Sequence, residues 1–242
     1  MDSLRRNNFN FIFILIVVLL IGNSMRNGGY ADPKLWLMDK ILLLPAVIIG
    51  ISFHEFGHAA MAYRLGDSTP KMQGRVTINP LAHIDWMGLA ALFFCGFGWG
   101  RPVEINPYNF KHRRRDEFLV AIAGVVMNLI LAVVFTIVLK VLVMFAGSWL
   151  FVTTVGAGLW QMLISVVTIN FILMIFNLIP CPPLDGFNIL AQIFGFGQSE
   201  TYWRIYNYGS WILIGIIVLG ITGMIITPCV SWLMNIVYGI LI

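Results

Sequence analysis

The sequence predicts an all-α polytopic membrane protein of about six transmembrane helices, with a short β or re-entrant segment between the second and third. Two observations carry this prediction. Of the 242 residues, 59% are hydrophobic and only 11% are charged, whereas a soluble domain carries roughly 25% charged residues. The apolar residues also gather into repeated runs that approach the length of a bilayer crossing, about 20 residues at 1.5 Å rise each. A large soluble core does not require such runs.

The first candidate span covers residues 8–25, where Arg5-Arg6 precedes the apolar run Phe9–Gly22. The pattern resembles a signal peptide, but no small-residue cleavage site follows. An uncleaved span with a cytoplasmic N-terminus is therefore expected. Further spans are expected at 41–64, 117–140, 159–180, 209–226 and 229–242. Thr227-Pro228 separates the last two, which are either two shallow spans or one broken helix.

The connector 66–116 is the unusual one. It holds candidate strands at Arg75–Ile78 and Pro102–Ile105, followed by the turn-forming pairs Asn79-Pro80 and Asn106-Pro107. Between them, Trp86–Trp99 is apolar but at 14 residues too short for an ordinary span. It reads either as a re-entrant or interfacial segment or as a helix packed on the bundle.

Of 15 Lys and Arg residues, eight lie between Arg64 and Arg115. Anionic lipid or nucleic acid is the functional alternative for such a cluster. A topology signal is the preferred reading, because juxtamembrane cations mark the cytoplasmic side. The lipid bilayer is thus a partner and nucleic acid is not. Both termini and the connector are expected in the cytoplasm, with 26–40 outside. Cys95, Cys181 and Cys229 offer no disulfide framework.

The chemistry begins at His54-Glu55-Phe56-Gly57-His58, an HExxH pattern inside the second span. Its histidines fall one turn apart on one helical face, where they can share a metal. Glu55 sits near that face and can act as general base on metal-bound water. Three ionisable groups within five residues are costly in lipid, and zinc is a natural compensating partner. A catalytic zinc needs a third protein ligand. Asp2, Asp32, Asp39, Asp67, Asp116, Glu117 and Glu200 are expected at solvated surfaces, and Asp85 and Glu104 are weaker candidates.

Asp185 stands out. It follows the fourth main span in Asn177-Leu178-Ile179-Pro180-Cys181-Pro182-Pro183-Leu184-Asp185-Gly186, where three prolines force the chain to unwind. Taken alone, Asp185 reads as N-cap of a helix starting at Phe187. Taken with HExxH in a membrane span, it reads as the third ligand. His83 and Asp85 form a second polar pair, read as a structured turn, and His112 is expected to be solvated.

The two motifs resemble those of the site-2 protease family of intramembrane zinc metalloproteases. Further similarity appears in Gly74–Asp85, Arg101–Pro107 and Ala123–Asn128, so that it covers roughly residues 45–195. The resemblance is to the compact bacterial or archaeal branch, without PDZ-like or CBS-like modules. It implies one catalytic zinc ion held by His54, His58 and Asp185, and Glu55 as the catalytic acid/base. It also implies Asn177 as a polar group near the metal, whose other reading is an interhelical hydrogen bond. One departure is Val125, where the family often has Pro after the glycine matching Gly124.

The expected whole is a single integral-membrane metalloprotease domain over 1–242, with a catalytic core at about 41–195 and a site open toward the cytoplasm of a prokaryotic cell. The expected activity is zinc metalloendopeptidase cleavage of membrane-protein substrates in or near their transmembrane segments. A membrane-bound zincin with a cytoplasmic catalytic domain, a metal transporter and a catalytically silent scaffold are the competing readings.

Overall fold

A computed structural model describes residues 32–95 and 98–241 and contains eight α-helices among them. Four are long and apolar enough to cross a membrane: α1 (Pro33–Arg64), α4 (Arg113–Val152), α5 (Thr154–Leu178) and α8 (Ile221–Leu241). The expected first span, 8–25, lies outside the described residues.

Helix α1 begins earlier than its apolar run because the chain supplies a start signal. The Asp32 carboxylate accepts from the backbone N–H groups of Lys34 and Leu35 at 2.9 and 3.2 Å, and Pro33 occupies the first turn, where its missing N–H costs nothing. Helix α4 starts at the basic run and extends to Val152, with non-helical backbone at Ala146. Thr153 then caps α5, its hydroxyl accepting from Gly156 N–H at 3.0 Å. Helices α4, α5 and α8 share an apolar core that includes Leu139, Val167, Phe171 and Met234. Helix α1 packs against both α4 and α5.

The connector contains short helices α2 (Thr69–Met72) and α3 (Trp86–Cys95). Both Asn-Pro pairs open 3-10 turns, and each Asn side chain accepts from the backbone two residues on. Among the described residues no strand forms at 75–78 or 102–105; a lone antiparallel bridge joins Ile84 to Gly100. The groups a ladder would use are already satisfied by side chains. Val103 N–H donates to Glu55 and Asn106 N–H to Asp67, while the Arg75 guanidinium takes the carbonyls of Ala82, Arg101 and Pro102. Two prolines, Pro102 and Pro107, remove further donors.

The distal helices also differ from expectation. They are α6 (Asp185–Phe194), α7 (Glu200–Val218) and α8. The break between the last two falls at Leu219-Gly220, not at Thr227-Pro228. Gly220 adopts φ +73°, a left-handed value that glycine accepts without strain, and its N–H bonds Ile217 O at 2.9 Å. Pro228 lies inside α8.

Candidate active site

The HExxH segment lies in regular α1 helix, so His54 and His58 sit one turn apart, their rings edge to face with centroids 4.6 Å apart. Both are buried. Helix α4 crosses α1 at this level because both contribute glycine. A Cβ on Gly57 would stand 2.8 Å from Ala123 O, and one on Gly124 would stand 2.4 Å from His58 Nε2 and 2.7 Å from His54 Cε1. Glycine at 124 lets the helix backbone close over both imidazoles.

Each ring is fixed by what its Nδ1 meets. His58 Nδ1 lies 2.8 Å from the Val120 carbonyl, which accepts only, so this nitrogen carries the proton. His54 Nδ1 lies 2.7 Å from Asn128 Oδ1. The orientation of that amide follows from backbone carbonyls. Asn170 Nδ2 donates to Val166 O at 2.8 Å, which turns Asn170 Oδ1 toward Asn128. Asn128 Nδ2 donates to that oxygen at 2.9 Å and to Gly50 O at 3.1 Å, leaving Oδ1 to accept from His54. In the neutral imidazoles both Nε2 atoms are then lone pairs.

They face each other at 3.1 Å, and Asp185 Oδ2 stands 3.2 and 3.3 Å from them. That oxygen is buried without a hydrogen-bond partner. Three electron-rich atoms converging in this way repel one another unless a cation lies between them. Ligand atoms on a tetrahedral ion with bonds of about 2.0–2.1 Å stand roughly 3.3 Å apart, so the set fits zinc. Hydrogen-bonded second nitrogens are also what metal-ligating histidines require. Asp185 is the first residue of α6, not its cap; Leu184 holds that position and makes no side-chain cap bond. The carboxylate turns to the histidines instead.

Glu55 and Asn177 line one cavity of about 360 Å³ together with the three candidate ligands. Val103 N–H donates to Glu55 Oε2 at 3.1 Å. Asn177 Nδ2 donates to Leu173 O of its own helix at 3.0 Å, which commits one of its two amide hydrogens. The same cavity is lined by Asn188 and Tyr202, bonded to each other at 2.8 Å, and by Tyr206 stacked on Tyr202.

Several other polar groups resolve into structural roles. Asp85 Oδ1 accepts from Gly88 N–H at 2.9 Å, at the start of α3. His83 is wholly buried with Nε2 2.7 Å from Thr77 O, so this pair builds a turn. Cys181 packs among Ile179, Leu184 and Leu213, and His112 is exposed. Asp67 and Asp116 are not at the surface as expected. Asp67 is wholly buried, accepting from Thr69, Asn106 and Asn109. Asp116 is 3% exposed and accepts from His112 N–H. The roles of Gly124, Asn128, Asn170 and Arg75 were missed in the sequence. Asn128 and Asn170 carried a usable signal, since an amide inside an apolar span demands a partner.

The model of peptidase family M50 matches residues 42–219. YwhC of Bacillus subtilis (strain 168), provisionally named a zinc metalloprotease, is 34% identical over 205 residues, spanning 80% of this chain and 92% of that protein. Rip2 of Mycolicibacterium smegmatis, provisionally named in the same way, is 27% identical over 237 residues, 94% of this chain and 84% of that protein. The zinc metalloprotease MJ0392 of Methanocaldococcus jannaschii is 24% identical over 214 residues, 88% of this chain and 50% of that protein. No solved structure is a significant match. By the extent of the family match and the identity to YwhC, the chain belongs to peptidase family M50, the site-2 proteases, and is an intramembrane zinc metalloprotease.

Proposed function

We propose that His54, His58 and Asp185 hold the zinc, that Glu55 is the acid/base, and that Asn177 supports charge developing on the scissile carbonyl oxygen. The observation that carries this reading is the convergence of two imidazole Nε2 atoms and one carboxylate oxygen at 3.1–3.3 Å, with Glu55 on the same cavity. Zinc bound there supplies an electrophile that acidifies water and polarises a carbonyl.

The chain's own residues do the rest. Val103 N–H orients the Glu55 carboxylate, which accepts the water proton and returns it to the leaving amine. The second Nδ2 hydrogen of Asn177 serves the carbonyl oxygen. The substrate is a segment of a membrane protein, extended where it is cut, in or beside its transmembrane region. Residues 1–242 act as one membrane domain with a catalytic core at about 41–195. Six spans, with 8–25 as the first and α7 and α8 as the last two, put both termini in the cytoplasm of a prokaryotic cell. The basic 64–115 region opens the site to that side, and α3 serves as an interfacial or re-entrant segment.

The test is cleavage of a reporter with a transmembrane segment, in proteoliposomes, beside zinc content. Glu55→Gln keeps about one zinc per chain and loses cleavage by about a thousandfold or more. Asp185→Ala loses both. Normal cleavage by Glu55→Gln, or full zinc in Asp185→Ala, overturns the assignment.

A further inference from the structure

A second cavity, of about 640 Å³, opens where the first turn of α4 meets the C-terminal end of α6. Its lining includes Arg113, Arg114, Arg115, Phe118, Gln192 and Ile193. Nothing in the proteolytic chemistry uses it, and its charges are unequally spent. Arg113 pairs with Glu117 at 2.7 Å. Arg114 donates to the carbonyls of Gln192 and Ile193 at 2.5 and 2.6 Å, neutral acceptors that leave its formal charge uncompensated. Arg115 is exposed, and no hydrogen bond or ion pair ties it among the described residues.

Apolar surface lies directly beside these cations. Ile193 and Phe194 are 51% and 72% exposed, and Phe118 and Ile193 give the cavity its apolar lining. Water is a poor solvent for that lining, and a hydrocarbon interior is a poor solvent for the cations. The boundary between headgroups and acyl chains satisfies both. The position agrees, because Arg113 begins a helix apolar enough to cross the membrane.

We propose that this cavity binds one anionic phospholipid, with the phosphodiester against Arg114 and Arg115 and acyl carbons over Phe118 and Ile193. A phosphodiester offsets one of these two guanidinium charges, and fork-like N–H donors suit its paired oxygens. The lipid would touch the protease site through α6. Gln192 lines both cavities, with its carbonyl on Arg114 and its side-chain amide on Glu117.

The test is native mass spectrometry of the purified full chain titrated with dioleoyl phosphatidylglycerol or dioleoyl phosphatidylcholine, with no substrate present. The first phosphatidylglycerol adduct saturates at about tenfold lower concentration than the phosphatidylcholine one. Arg115→Gln weakens that adduct about fivefold, the increment for one cation at a lipid surface. Ile193→Asn weakens it by disturbing the apolar lining, and Lys34→Gln, at the far end of α1, leaves it unchanged. Unaltered melting temperatures show that each variant is folded. Equal affinity for the two lipids, or Arg115→Gln indistinguishable from wild type, overturns the site. Displacement of phosphatidylglycerol by equimolar glycerol 3-phosphate also overturns it, by showing a site for free anions.

Discussion

His54 and Glu55 are neighbours in sequence, yet two different kinds of structure hold them. The histidines sit between packed helices, and the Nδ1 contact of each ring traces back to a helical backbone carbonyl. Glu55 meets a segment without regular secondary structure, held in turn by Arg75 and Asp67. The metal side is thus fixed by regular backbone and close packing. The base side is fixed by isolated hydrogen bonds across the connector, which can open at lower cost. If a peptide substrate reaches Glu55 past this segment, the connector is the wall expected to yield.

Breaking the metal side by packing alone gives the largest effect. Gly124→Ala places a methyl 2.4 Å from His58 Nε2 and 2.6 Å from His58 Cε1. Alanine is the better helix former by about 1 kcal/mol, so α4 itself has no reason to fail. Zinc content should fall to background and cleavage with it, while helicity by circular dichroism is kept. Stoichiometric zinc in Gly124→Ala would show that the helices separate easily here, which contradicts a rigid metal side.

Asn128→Ala sharpens the same side at its next layer. It leaves His54 Nδ1 without its acceptor and Asn170 Oδ1 without its donor. Loss of such a supporting group costs about 10–100-fold in metal affinity, measurable by chelator competition. Asn170→Ala acts one bond further away and should cost less. An unchanged affinity in Asn128→Ala would mean that the ring is held by packing, not by its tautomer.

Val103→Pro addresses the connector. It removes the donor to Glu55 without touching a candidate ligand. A hydrogen bond to a charged group is worth about 1.5–3 kcal/mol, so kcat should fall about 10–100-fold while zinc content and melting temperature hold. If zinc falls in parallel with kcat, the two regions are one mechanical unit and the contrast between them fails.

This contrast also explains what was legible in the sequence. The HExxH spacing reads directly because a helix turns a four-residue step into one face. Asp185 reads because Pro180, Pro182 and Pro183 flag unwound chain beside an apolar span. The grip on Glu55 does not read, since Val103 lies 48 residues away and acts through its backbone, which every residue type except proline possesses. The segments at 75–78 and 102–105, each followed by an Asn-Pro turn, looked like strands because residue types record side chains, not where backbone donors go. Gly124 was visible as part of a familiar stretch, but only the crossing of α1 and α4 shows that its missing Cβ is filled by two imidazoles.

The smallest predicted effect concerns the far anchor of the connector and is read by pH. Burial alone would raise the Asp67 carboxyl, but hydrogen bonds from Thr69, Asn106 and Asn109 outweigh it and hold the group below its ordinary range. A carboxyl lowered on folding stabilises the fold above its unfolded value, about 4, and that contribution drains away as pH falls through the folded value. Hydrogen exchange at the Asn106 amide, corrected for its intrinsic pH dependence, should therefore accelerate about tenfold below pH 4, roughly the worth of one such charged bond. Amides of α4 and α5 near the histidines should not follow, because no titrating carboxylate supports them from the connector. Asp67→Asn should flatten the dependence by removing the titrating group. If α4 amides accelerate together with Asn106, acid loosens the whole bundle, and the connector has no separate weakness through which a substrate can enter.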